Sequence, residues 1–178
     1  MAKKRSKQSS ASRAGGTAAL RVLHDAAIDF EVHEFDAGKD HFGAHAAEAL
    51  GELQVDPGQV FKTLVVDLTA GRGPKRSLGV ACVPVECTLS LKKAAAAFQV
   101  PKVSMADPKD ASRSSGYVPG GISPLGQKTP LPTVIDHSAQ QWDRVYVSGG
   151  RRGLDVGLDP AVLAQLTEGS FADVSATS

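Results

Sequence analysis

The stretch "QVFKTLVVDLTAGRGPKRSLGVACVPV", Gln59 to Val85, carries two β-prone runs with turn chemistry between them. Val, Phe and Thr in "QVFKTLVVDL" suit a pleated, half-buried surface, and "SLGVACVPV" is composed alike. Between them "TAGRGPKR" supplies glycine, proline and a cluster of basic residues. The expected unit is a hairpin with a long, basic tip. Adjacent antiparallel strands of this kind argue against a doubly wound parallel sheet.

Toward the N-terminus, "FGAHAAEALGEL" predicts a short helix ending near Gly51, and "DFEVHEFD" a strand with Phe30 and Val32 alternating against polar residues. "TAALRVLHDAAI" predicts a helix capped by Thr17, with Leu20, Leu23, Ala27 and Ile28 on one face. Toward the C-terminus, "TLSLKKAAAAF" predicts a helix capped by Ser90 or Thr88, and "ADPKDASRSS" one that starts at Asp107. "TVID", "DRVYVSGG" and "GLDVGLD" predict strands, "PAVLAQLT" a helix with Pro160 in its first turn, and "FADVS" a last strand. Hairpin-like strands with helices scattered between them predict an α+β fold. Its sheet is expected to be mixed and barrel-like, with peripheral helices.

The chain has 178 residues, the size of one domain, and 42% hydrophobic residues can fill one core. No apolar run approaches the length of a membrane span, so a soluble, cytoplasmic protein is expected. Residues 1–16 hold Lys3, Lys4, Arg5, Lys7 and Arg13 and no acid, and read as a disordered basic tail ahead of one domain, 17–178. The remainder carries 15 basic against 19 acidic side chains, a net of −4, which excludes a generally basic nucleic-acid binder. Cys82 and Cys87 are too few for a disulfide framework. Were they on one strand, their odd spacing would send them to opposite faces, against a bridge or a shared metal.

"GYVPGGISPLGQKTPLPT", Gly116 to Thr133, packs four glycines and four prolines into eighteen residues, and a loop that long is usually functional or disordered. Its centre approaches a phosphate-binding loop, yet Gln127 stands where that motif needs lysine. Pro124 removes a backbone donor, and Pro130 and Pro132 preclude the helix that should follow. "GISPL" has Leu125 where a nucleophile elbow needs glycine. His41 and His45 lack the glutamate and third ligand of a zinc site, so no metal and no cofactor are expected. What survives is Lys62, on the same strand face as Leu64 and Val66, where a lysine is uncommon unless it snorkels to water or meets a ligand. "YVSGGRRGLD" adds a glycine turn whose N–H groups suit an anion, although such turns are more often simple hairpin turns.

Taken in order, "FKTLVV", "GYVPGGISPLGQK", "TVID" and "VYVSGGRRGLD" resemble the YbaK/EbsC family, over about Thr17 to Val174. The match is close to its Cys-tRNA(Pro) deacylase branch, related to the editing domain of bacterial prolyl-tRNA synthetase. That resemblance implies a small α+β domain acting on mischarged aminoacyl-tRNA at the acceptor end, with prolyl-tRNA synthetase as partner. By motif, Lys62 is the essential lysine and Thr63 its neighbour, while Phe42 and Gly43 line the pocket. Gly120 and Gly121 bring backbone N–H groups to the substrate, and Ser148, Gly149, Arg152 and Asp155 supply the remaining pocket groups. One departure is Phe35, in "HEF", where the family carries tyrosine. With no enzyme nucleophile in the motifs, the resemblance implies that the substrate thiol attacks its own ester carbonyl. Another mischarged tRNA, such as Ala-tRNA(Pro), and a non-catalytic tRNA or synthetase adaptor remain open alternatives at this stage.

Overall fold

The computed structural model of the chain describes residues 16–177; the stretch read as a disordered tail lies, up to residue 15, outside them. Helix α1 (Ala18–Asp25) starts where the Thr17 hydroxyl accepts the Leu20 N–H at 3.2 Å, as the capping rule requires. Strand β1 (Glu31–Glu34) and helix α2 (Phe42–Gly51) follow, then the hairpin of β2 (Phe61–Asp67) and β3 (Leu78–Pro84). Its register runs antiparallel from Phe61 opposite Pro84 to Asp67 opposite Leu78. The long tip is organised by the Asp67 carboxylate. It accepts from the N–H of Thr69 at 2.8 Å and of Gly71 at 3.1 Å, and pairs with Arg76 at 3.3 Å.

After a short strand β4 (Cys87–Leu89) come α3 (Leu91–Phe98), capped by Ser90, β5 (Ser104–Met105), and α4 (Pro108–Ser115), capped by Asp107. The Gly/Pro segment then runs without helix or strand to β6 (Thr133–Asp136). A second hairpin joins β7 (Val145–Arg151) and β8 (Leu154–Leu158), and α5 (Pro160–Thr167), β9 (Ser170–Ala172) and β10 (Ser175–Thr177) complete the chain.

The strands form three sheets. One has the order β5-β2-β3-β6-β9, the second β1-β8-β7, and the third pairs β4 with β10. The mixed character is as expected: beside the antiparallel hairpins, β3–β6 and β6–β9 are parallel, pairs that the mostly hairpin-like strands of the sequence do not identify. Each parallel pair needs a long crossover. The first spends it on α3, α4 and the Gly/Pro segment, the second on the β7–β8 hairpin and α5. The sheets do not close into a barrel. The outer strands β5 and β9 are two and three residues long and give no edge on which a ladder could continue. The two larger sheets meet instead at one parallel bridge, Val60 with Tyr146. Cys82 and Cys87 fall on different strands, β3 and β4, because the run breaks after Pro84.

The main core gathers Leu20 and Leu23 from α1, Phe61 and Val80 from the hairpin, Ile135, Val147, Val156 and Leu163. Fully burying each such side chain contributes about 1.5–3 kcal/mol. The buried Asp136 carboxylate accepts the N–H of Val174 at 3.0 Å, Ser175 at 3.1 Å and Ser138 at 3.2 Å, tying the C-terminal turn to β6. Among the described residues no helix is long and apolar enough to cross a membrane.

The Gly/Pro segment is pinned at both ends. The Lys128 and Thr129 N–H groups donate to Ser115 and Ser114 carbonyls at 3.0 and 2.8 Å, and the Tyr117 hydroxyl donates to the Leu125 carbonyl at 2.5 Å. Gly126 adopts φ +67°, and a methyl group there would stand 2.7 Å from the backbone of Ala18. Gly126→Ala should therefore cost about 2–4 kcal/mol from left-handed strain and overpacking. That lowers the thermal midpoint by about 5–15 °C. A midpoint within about 2 °C of wild type in a calorimetric scan would show that the loop does not rest on α1.

Candidate active site

The single bridge between the larger sheets builds the site. Val60 pairs with Tyr146 in parallel, and two residues onward on each strand stand Lys62 and Ser148, both lining one pocket. Ser148 faces Asp155 across the β7–β8 ladder, and Asp155 faces His33 across β8–β1. A polar row thus crosses four strands, which no single segment of sequence reveals. The pocket has a volume of about 220 Å³. Its apolar walls include Phe35, Ala46, Phe61 and Ile122.

Of the residues singled out by motif, Lys62, Thr63, Phe35, Phe42, Gly43, Gly120, Ser148 and Asp155 come together here. Gly121, Gly149 and Arg152 do not line it. Gly121 is buried, its N–H donates to the Val118 carbonyl at 2.9 Å, and a Cβ there would meet Arg151 backbone at 2.9 Å. Its N–H is consumed by the turn, which corrects the expectation that both glycines present N–H groups to substrate. Gly120, at φ +83°, is the one that borders the pocket, and a side chain on it would run into the Phe42 ring. Gly149 packs on Leu154, and its carbonyl accepts from the Thr17 hydroxyl. Arg152 sits outside as a clamp. Its guanidinium lies 4.4 Å from the centre of the Phe42 ring, and Nε donates to the Pro119 carbonyl at 2.8 Å.

The pocket residues missed in the sequence are mainly apolar: Ala46, Val60, Phe61, Leu64, Val85 and Ile122. Their identities match ordinary core positions, so nothing marks them before the strands are placed. Gly153, also lining, carried a signal in its "RRGL" turn; its carbonyl accepts the Phe35 N–H at 2.9 Å and so holds Phe35 at the wall.

The electrostatics are uneven. Lys62 is half-buried, and its ammonium makes no hydrogen bond or ion pair with any described residue. Asp155 is only 7% exposed, and its carboxyl likewise has no hydrogen-bonding partner among the described residues. Burial pushes its carboxyl up to about 7, with the charge of His33 pulling the other way. Cys82 is fully buried and its thiol is pushed up to about 12 by burial, which disqualifies it as a nucleophile despite its contact with Thr63 at 4.0 Å. No histidine or cysteine is among the lining residues, and among the described residues neither the Ser148 nor the Thr63 hydroxyl is hydrogen-bonded to a carboxylate or imidazole, although Asp155 stands opposite Ser148. His41 is exposed at the start of α2, away from this lining. Asp136, His137 and Asp173 are the group of potential metal ligands found among the described residues. None of them lines the pocket.

The sequence profile of the family described as "Aminoacyl-tRNA editing domain" matches residues 43–166, which hold Gly43, Lys62, Gly120, Ser148 and Asp155. The chain belongs to that editing-domain family. An Enterococcus faecalis relative, EbsC, is 36% identical over 176 residues, 98% of each chain. Its name offers it as a candidate Cys-tRNA(Pro)/Cys-tRNA(Cys) deacylase. The editing-domain fold superposes on a crystal structure presented as a candidate trans-editing enzyme for prolyl-tRNA synthetase. The TM-score is 0.74 and the identity 27%, covering 92% of this chain and 99% of the other. A second solved structure, APE2540, shares the fold at a TM-score of 0.75 and 22% identity, covering 89% of this chain and 99% of the other. The editing-domain assignment agrees with the resemblance carried by the lysine, glycine and "RGLD" motifs.

Proposed function

We propose that this editing domain is a trans-editing deacylase that releases cysteine from mischarged Cys-tRNA(Pro), and from Cys-tRNA(Cys) as a second substrate. It would work in the cytoplasm beside prolyl-tRNA synthetase. The observation that carries this reading is the composition of the pocket: an unpaired lysine, a bordering glycine and a small apolar chamber, in which no lining hydroxyl is hydrogen-bonded to a base among the described residues.

A cysteinyl ester brings the missing group. Its sulfur forms a bond to its own ester carbonyl carbon, and the bond from that carbon to the ribose oxygen breaks. The thiol proton ends on the ribose hydroxyl, and the cyclic thioester then takes up water to give cysteine. Such a step needs orientation above all, and proximity contributes up to about 7–11 kcal/mol to intramolecular reactions. In this reading the ammonium of Lys62 holds the electronegative end of the substrate, and Gly120 lets its backbone close on the ester. Phe35 lacks the hydroxyl usual at that place. A neutral hydrogen bond is worth about 0.5–1.5 kcal/mol, so its loss tunes the rate and does not abolish it.

The test is a deacylation panel of Cys-tRNA(Pro), Cys-tRNA(Cys), Ala-tRNA(Pro) and Pro-tRNA(Pro). Both cysteinyl esters should be cleaved, and the other two should decay at their spontaneous rate. Preferential release of alanine would replace the substrate assignment. Salt-sensitive tRNA binding without turnover of any ester would make the protein an adaptor.

A further inference from the structure

The pocket holds an acidic and a basic side chain, neither of which has a hydrogen-bond partner among the described residues. Asp155 is buried, on β8, among the apolar walls of the chamber. Lys62 lines the same chamber from β2, yet the two side chains form no ion pair. No hydrogen bond or ion pair reaches the Asp155 carboxyl among the described residues; its electrostatic neighbour is His33, opposite it on β1, whose Nε2 is taken up by Glu31 at 3.2 Å. An apolar chamber that leaves a carboxyl without a donor is costly, and the cost is recovered when a ligand brings one. The complementary ligand group is a compact cation with several N–H donors, separated by a short span from an electronegative group that suits the ammonium of Lys62.

An aminoacyl ester has this layout at its amino-acid end, with an α-ammonium one carbon from the ester carbonyl. We propose that Asp155 is the receptor for the substrate α-ammonium, anchoring the amino acid by its backbone amine while its side chain and ester are presented to the rest of the pocket. This deepens the deacylase reading and rests on it. The assignment gives Asp155 a positioning and recognition role, with no proton transfer asked of it. The groups facing it are Ser148 from β7, His33 from β1 and, across the chamber, Lys62 from β2. It also predicts that recognition at Asp155 is blind to which amino acid is attached, leaving discrimination to the thiol and the apolar walls.

The test uses an acceptor-stem minihelix ending in a stable 3′-cysteinylamide, beside one ending in 3-mercaptopropionylamide, which keeps the thiol and lacks the amine. At about pH 7.4, where most of the α-amine is protonated and most of the Asp155 carboxyl is ionised, wild type should bind the amine-bearing probe about 10–100-fold more tightly. Asp155→Asn should bind both with similar affinity, close to that of wild type for the amine-free probe. Equal binding of the two probes by wild type, or an undiminished preference in Asp155→Asn, overturns the proposal. Release of cysteine from Cys-tRNA(Pro) by wild type is measured in parallel. Activity there with no amine preference removes only the Asp155 assignment, whereas failure to release cysteine removes the deacylase reading and this proposal with it.

Discussion

Lys62→Ala should lower kcat/KM for cysteine release by about 100-fold or more while leaving the fold intact. Removing one preorganised charge or donor from an active site commonly costs about 100–1,000-fold. Lys62 is well placed for such an effect, because it lines the pocket and none of the described residues takes up its charge. The same isolation makes its removal structurally mild. No ion pair is broken, and the flanking Phe61 and Val65 stay buried in β2. The thermal midpoint should therefore stay within about 3 °C of wild type. A variant that keeps wild-type kcat/KM places the chemistry elsewhere. A variant that loses activity only because its midpoint collapses makes Lys62 a structural residue.

Asp155→Asn should stabilise the protein above neutral pH and leave it nearly unchanged in acid. Burial pushes the carboxyl up from 3.8 to about 7 in the folded chain. A group with a raised folded pKa contributes its stability below its unfolded value, and loses it as pH rises through the folded one. Wild type thus carries the cost of an ionised, buried and unpaired carboxylate at about pH 8, and sheds it below about pH 4. The rise to about 7 corresponds to at most about 4 kcal/mol. The coulombic effect of His33 works against that rise, and Lys62 lines the same chamber without pairing. Asparagine removes the charge at nearly constant volume. Its midpoint should exceed that of wild type by about 5–10 °C at about pH 8, with the difference vanishing near pH 4. An equal gain at both ends of the range, or a lower midpoint at about pH 8, contradicts this. A gain confined to the alkaline side would mean that the protein trades stability for a carboxylate held ready in its pocket, which is common where function needs a charge that the fold alone does not satisfy.

Local structure was largely legible in the sequence. Thr17, Ser90, Asp107 and Pro160 mark their helix starts because a cap acts within four residues. The Gln59–Val85 hairpin is local for the same reason. The parallel pairs β3–β6 and β6–β9 are not, since their crossovers run through helices and loops that say nothing about which edge they return to. The paired strands β4 and β10, three residues each, offer too little periodicity to see.

The site divides likewise. Lys62 stood out as a cation on an apolar strand face, and the family motifs added Gly120, Ser148 and Asp155. The sequence did not separate Gly120 from Gly121. Only the hydrogen bond from Gly121 to Val118 and its contact with the Arg151 backbone show which of the two meets the pocket. Nor could it reveal that Asp155 is buried without a donor, because that depends on strands β1, β7 and β8 closing around it.

The most direct measurement is a single-turnover time course of cysteine release from Cys-tRNA(Pro) by the purified protein, run beside S-methylcysteinyl-tRNA(Pro). The account predicts release from the free thiol far above the spontaneous rate, and a fall of about 100-fold or more when methylation removes the attacking group. No release above the spontaneous rate, or equal release from both esters, would contradict it.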